Sequence, residues 1–258
     1  MNKAGVDAMV NTYESLKNDI IKLGIKPDDT IMIHSSLKKL GETEGGGDTL
    51  LDVFCDYLGQ DGLFIVPCHT WRTVRDYNYT YNKNMESNLG VLPNLFRVRE
   101  NVERSLHPTH SVCAYGKGAK EFVTTPLPQN TPCKRDGCYG KFYDIGGKIL
   151  LLGVTLTVNT FFHAIEEWES GGIPWWYEQK PLHYKITLEN GETIDNYMHP
   201  STVGTSERFD RAMEYVLNEP STKTGKIGNA DCILIDAKKI DPVIAKLLKE
   251  QPDIFTKE

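Results

Sequence analysis

The chain has 258 residues, enough to bury a full core as one domain or as a large domain with a small annex. Its formal charge of -6, from 29 basic against 35 acidic residues, disfavours a broad nucleic-acid surface and sets no global repulsion against a cationic small molecule. Six cysteines without a matched ligand pair, an N-terminus without an apolar signal region and no run near the roughly 18 apolar residues of a spanning helix predict free thiols, no metal, no membrane and a cytoplasmic protein.

Residues 10–23 have helical periodicity that stops at Gly24. A strand over 30–33 then runs into His34, Ser35 and Ser36, a junction whose hydroxyls and free backbone N–H groups can receive a phosphate, with Lys38 and Lys39 nearby. A plain serine cap with two solvated lysines is the rival, since neither GxGxxG nor GxxxxGK[ST] is present. After a glycine turn, an amphipathic helix over 48–58 leads to a strand over 63–67 that ends in Cys68, His69 and Thr70. Strand, helix and strand with short joints predict a parallel sheet with helices on its faces, so His34 and His69, both at strand ends, should border one crevice.

Residues 71–88 keep no period, and read either as a functional loop or, from the alternation of Tyr77, Tyr79 and Tyr81, as a surface hairpin strand. A helix over 89–98 accommodates Pro93 near its first turn. RSLHPTHSVCAYG then sets two histidines and two hydroxyls around Pro108 before a strand over 111–115. The HxxH spacing of His107 and His110 is weak evidence for a metal, so a hydrogen-bonded, proline-stiffened loop is expected. A short helix over 116–123 follows, and 124–147 reads as a surface crossing in which Arg135 and Asp136 either line a pocket or are solvated.

Residues 148–169, KILLLGVTLTVNTFFHAIEEWE, are the chemical centre: a buried strand over 149–154 and then a capped helix. Thr160, His163 and Glu166 fall on one stripe at steps of three, with Glu167 the alternative neighbour of His163. An ordinary cap and a surface carboxylate are the bland alternative. An imidazole with a pKa of about 6.5 can take a proton from an amine, a carboxylate on its other nitrogen can hold the tautomer, and a hydroxyl can donate to a developing oxyanion. A cysteine nucleophile, Cys68 beside His69 or Cys113 after His110, is a rival chemistry, although adjacent strand residues point to opposite faces.

Beyond this stretch, IPWWYE at 173–178 reads as an acceptor-pocket wall or a subunit contact. Strands over 183–188 and 193–197 flank Asn190-Gly191, a helix over 207–217 follows, and GKIGNADCILIDAKKI gives a strand pair before a final helix over 241–249. The expected fold is α/β, a mainly parallel central sheet with helices on both faces over 1–170, plus a C-terminal α+β portion over 171–258 packed on that core and not independent.

Five blocks carry a resemblance: MIHSSLKKLG at 32–41, DGLFIVPCHTW at 61–71, RSLHPTHSVCAYG at 104–116, GGKILLLGVTLTVNTFFHAIE at 146–166 and GKIGNADCILIDAKKI at 225–240. In this order, over nearly the whole chain, they resemble the aminoglycoside 3-N-acetyltransferase family, the antibiotic N-acetyltransferases whose fold is not that of the GNAT enzymes. The resemblance implies an acetyl-coenzyme A-dependent N-acetyltransferase acting on an amino group of an aminoglycoside by general-base attack on the thioester. Acetyl-coenzyme A is then the co-substrate, a small cationic amine the acceptor, and a homodimer the assembly. The family's TxxHxxE is matched by Thr160, His163 and Glu166, which resemble oxyanion donor, base and orienting acid. His34, Ser35, Ser36 and Leu37 resemble the turn that holds the coenzyme, and Ser105, His107, His110 and Ser111 its opposite wall. Gly137-Cys138 stands where the family usually has Ser-Pro, and the chain is short around its two-tryptophan loop. An N-acetyltransferase of a biosynthetic amino sugar or amino-nucleotide, and a non-catalytic coenzyme A sensor, are the alternative functions.

Overall fold

The structure, a computed structural model, describes residues 10–72, 79–169, 180–199 and 205–256. Helix α1 (Tyr13–Leu23) begins later than its periodicity suggests because Thr12 caps it: Thr12 and Ser15 exchange side-chain and backbone hydrogen bonds, and Gly24 at φ +87° ends it. Then come β1 (Thr30–Ser35), α2 (Leu37–Leu40), α3 (Gly47–Leu58) and β2 (Leu63–Pro67). The expected 48–58 helix and 63–67 strand appear within a residue of their bounds, as their apolar patterns dictate.

The segment 71–88 yields β3 (Tyr79–Tyr81), with part of it outside the described residues. β3 is no hairpin: it pairs parallel with β7 (Leu182–Thr187), a partner over a hundred residues away in sequence. Next are α4 (Val91–Phe96), β4 (Glu103–Arg104), β5 (Val112–Gly116) and α5 (Ala119–Val123). The expected surface crossing hides a helix, α6 (Cys138–Asp144), whose Tyr139 and Phe142 are buried. The helix tolerates Gly140 within it because its aromatics bury it.

β6 (Lys148–Leu152) leads to α7 (Thr160–Glu169); β7 and β8 (Thr193–Met198) form the expected antiparallel pair. The helix expected over 207–217 is a 3-10 segment, Thr205–Ala212, followed by α8 (Met213–Asn218). β9 (Lys223–Ile227), β10 (Ala230–Asp236) and α9 (Ala237–Glu250) complete the described chain; Asp236 caps α9 through the backbone N–H groups of Lys238 and Lys239, four residues before the expected start. Residues 173–178 lie outside the described residues.

The main sheet has the order β4-β5-β2-β1-β6-β10-β9. Its centre, β2-β1-β6, is parallel, and each flank adds antiparallel pairs, so that β4, β2, β1, β6 and β9 run one way and β5 and β10 the other. Both faces are covered, which is why the central strands read as unbroken apolar runs. Ile149 and Leu151 of β6 point into one core with α6, α7 and α9, while Leu150 and Leu152 point into another with α1 and α3. β10 pairs with β6 from Asp236↔Lys148 to Cys232↔Leu152, so the last third of the chain completes the sheet. β3, β7 and β8 form a separate three-stranded sheet.

Candidate active site

The carboxyl ends of β2, β1 and β6 share one edge, where ligands of α/β sheets bind. After β6 the chain turns at Gly153, φ +65°, where a Cβ would lie 2.5 Å from Lys39 Cβ. A 3-10 turn, Leu156–Val158, then delivers Asn159, whose Oδ1 accepts from the Phe161 N–H at 3.2 Å and starts α7. Phe161, Phe162, Ala164 and Ile165 are fully buried, which anchors the helix and fixes the direction of its polar stripe.

On that stripe His163 Nδ1 lies 2.8 Å from Glu166 Oε2, with the imidazole 20% and the carboxylate 2% exposed. With the carboxylate accepting, Nδ1 carries the proton and the Nε2 lone pair is left for chemistry. Thr205 Oγ1 donates to Glu166 Oε2 at 3.2 Å, and the Phe209 ring packs 4.8 Å from the imidazole. Glu167 is spent elsewhere: it accepts from the Thr131 hydroxyl and, at 3.0 Å, from the Cys133 N–H, while Trp168 Nε1 donates to Cys133 O at 2.8 Å. Glu166 is therefore the partner of His163, and Glu167 fastens the crossing to α7.

A cavity of about 490 Å³ opens at the sheet edge and is lined by His163 and Thr160. His34 and Ser35 reach it from β1, His69 from the end of β2, and Tyr184 and Met198 from the small sheet. His34 is buried, Nε2 has no hydrogen-bond partner, and burial lowers it to about 4. His69 Nε2 meets the Tyr139 hydroxyl at 3.0 Å; burial first, then the neighbouring histidines, hold it well below the ordinary imidazole value. His110 pairs through Nδ1 with the Thr109 hydroxyl at 2.8 Å, faces the His69 ring at 4.6 Å, and is likewise lowered by burial and then by its histidine neighbours. Among the described residues no three His, Cys, Asp or Glu side chains are placed to share a metal ion.

The other coenzyme candidates from the sequence lie behind this wall. Ser36 N–H donates to Leu152 O at 2.9 Å, and Leu37 packs against the core of α1 and α3. Ser105 Oγ accepts from the Val112 N–H at 3.0 Å, and Ser111 Oγ donates to Cys68 O at 2.8 Å. His107 accepts at Nδ1 from the N–H groups of Thr109 and His110 and donates from Nε2 to Thr131 O at 3.0 Å, which makes it the strut of the proline loop. Arg135 pairs with Asp144, and Asp136 with Lys134, away from the cavity. Cys68 and Cys113 are fully buried and line no part of it, although the Cys113 thiol draws Cys68 down to about 7.

Sequence reasoning missed Thr205, Phe209 and Tyr139, whose partners are remote in the chain, and Arg104. The buried Arg104 donates to Cys68 O at 2.7 Å, Lys83 O at 2.9 Å, Ser111 Oγ at 3.2 Å and Met85 O, tying the 81–88 segment to the cavity wall. Its signal was only an arginine beside an apolar strand.

The sequence profile of the aminoglycoside 3-N-acetyltransferase family matches residues 32–249. Among relatives, the SPbeta prophage-derived aminoglycoside N(3')-acetyltransferase-like protein of Bacillus subtilis is 26% identical over 86% of this chain and 87% of its own. The aminoglycoside N(3)-acetyltransferase IV of a Salmonella species is 27% identical over 93% and 88%. Among solved structures, the apoenzyme of aminoglycoside acetyltransferase AAC(3)-IVa superposes with a TM-score of 0.82 at 24% identity, covering 98% of this chain and 94% of that one. AAC-IIIb in its binary complex with CoASH gives 0.81 at 22%, covering 94% and 98%. The chain belongs to the aminoglycoside 3-N-acetyltransferase family and is an acetyltransferase with that family's α/β fold.

Proposed function

We propose that this member of the aminoglycoside 3-N-acetyltransferase family transfers the acetyl group of acetyl-coenzyme A to an amino group of an aminoglycoside. The observation that carries the reading is the His163–Glu166 pair, 2.8 Å apart, on the wall of a cavity at the carboxyl edge of the sheet. The nitrogen of a neutral amine must shed a proton as its bond to the carbonyl carbon forms, so transfer needs a base within reach. In this reading His163 Nε2 takes the amine proton while Glu166, itself held by Thr205, keeps the proton on Nδ1 and offsets the charge the ring acquires. Thr160 supplies a hydroxyl at the same wall.

The co-substrate fits the residues present. A buried, unpartnered His34 Nε2 beside the Ser35 hydroxyl offers polar contacts at the strand end, within walls otherwise partly apolar, as a pantetheine arm requires. Acceptor amines meet no lysine or arginine among the described lining residues.

Three finer readings accompany this one. The division at residue 170 marks a change of role, coenzyme and base before it and acceptor wall behind it, within one folding unit, supported by the β6–β10 ladder. Six free, buried cysteines support a reducing, cytoplasmic setting. The family resemblance supports a homodimer, and sedimentation giving monomer alone at micromolar protein would remove that reading.

Release of free coenzyme A thiol from acetyl-coenzyme A, followed with a panel of aminoglycosides and small amino sugars, tests the function. Turnover with aminoglycosides is expected. Turnover with amino sugars alone would move the activity to biosynthesis, and saturable coenzyme binding without any turnover would make the protein a sensor.

A further inference from the structure

Among the described residues, the buried side-chain atoms without a hydrogen-bond partner include two nitrogens of residues that line the cavity, His34 Nε2 and Asn159 Nδ2. A buried donor left unpaired costs free energy that a hydrogen-bonding ligand in the cavity recovers. Asn159 is fully buried, and its orientation is determined. The Phe161 N–H at 3.2 Å requires an acceptor, so Oδ1 faces the helix and the NH₂ end is the unpaired one. The backbone is held too, its N–H on Leu156 O at 2.8 Å and its carbonyl accepting from the Phe162 N–H at 3.1 Å. The amide is thus a fixed donor at the N-terminus of a ten-residue helix, whose peptide dipoles add positive potential at the same spot.

We propose that Asn159 is a catalytic residue whose Nδ2–H donates to the carbonyl oxygen of the acetyl thioester as negative charge develops there, an inference that rests on the transferase reading. The amine lone pair forms a C–N bond to the thioester carbon, and the carbonyl π pair moves onto oxygen, where the Asn159 amide holds it. His163 Nε2 takes the proton from the attacking nitrogen. When the carbonyl re-forms, the C–S bond breaks, the sulfur leaves with the bonding pair, and the proton held by His163 goes to it. Amine and thioester become amide and thiol, with no other reactant consumed.

Two variants test this. Asn159→Asp keeps the acceptor for the Phe161 N–H and replaces the donor with an oxygen; Asn159→Ser keeps a helix cap without the amide and without added charge. Both should lower kcat by about 10²- to 10³-fold while melting temperature and coenzyme A affinity by calorimetry stay near wild type. Wild-type kcat in either folded variant overturns the proposal, as does a loss of coenzyme affinity at unchanged kcat, which would place the amide on the pantetheine arm. If the wild-type protein releases no thiol with any amine, the transferase reading fails and takes this proposal with it; turnover by the wild type confines a failure to Asn159.

Discussion

Lowering the pH from 7 to 5 should remove about 4 kcal/mol of folding stability through two imidazoles alone. Burial lowers His34 and His107 to about 4 from 6.5. For His107 the bonding pattern gives the reason a proton is unwelcome: Nδ1 accepts from two backbone N–H groups, at 3.2 and 2.9 Å, and protonation would turn both contacts into clashes of donors. The unfolded chain takes up these protons as pH falls through 6.5, the folded chain only near 4. Between those values the unfolded state binds more protons, so stability is full above 6.5 and drains as pH falls through the window. At pH 5 each group costs about 2 kcal/mol, and His69 and His110, also held low, add in the same direction. Against a usual total of about 5–15 kcal/mol, such a loss is large. Urea unfolding at fixed salt from pH 7 to 5 should show a falling midpoint in the wild type at constant m. His107→Asn, which keeps an acceptor near the Nδ1 position, should be weaker at pH 7 but lose about 2 kcal/mol less across the window. A wild-type midpoint that does not move between pH 7 and 5 would refute the argument.

His163→Ala should lower kcat by about 10²- to 10⁴-fold with coenzyme A binding nearly intact in a folded protein, and a wild-type kcat would remove it as the base. Glu166→Gln should cost less, because the ring remains and only its orientation and charge partner are lost; steady-state kinetics with a matched coenzyme titration separates the two. Glu167→Gln should act on stability rather than rate, because one of its two donors, the Thr131 hydroxyl or the Cys133 N–H, loses its acceptor. The expected loss is about 1–3 kcal/mol in denaturant unfolding, and a fall in kcat at unchanged stability would contradict that assignment.

What the sequence made legible is what local periodicity controls. Thr160, His163 and Glu166 share a helical stripe by geometry alone, and the strand before them announces itself by four consecutive apolar residues, Ile149 to Leu152. The choice of Glu166 over Glu167 was not available locally, since both lie within a turn of His163; it was decided by Thr205 and by Thr131, residues 39 and 36 positions away. The proline loop shows the same limit. Ser105, His107, His110 and Ser111 look alike as polar residues around Pro108, yet only His110 lines the cavity, because the loop must satisfy its own buried backbone before it can offer anything to a ligand. At β3 the alternation of Tyr79 and Tyr81 offered a strand, but not its parallel partner β7 over a hundred residues on, and α6 was missed because a helix of seven residues in a glycine- and proline-rich crossing is held by burial rather than propensity.

The antiparallel seat of β10 against β6 has a consequence for the protein during its synthesis. Until residue 236 has left the ribosome, Lys148–Leu152 has β1 on one side and nothing on the other, an apolar edge of the kind that recruits foreign strands. At about 5–20 residues per second the intervening stretch takes roughly 4–17 seconds to appear, which is long compared with hairpin formation. A nascent chain is therefore most in need of a chaperone after its catalytic helix is already complete, and a transcript that ends before the last strand pair should give an aggregate rather than a weakened enzyme.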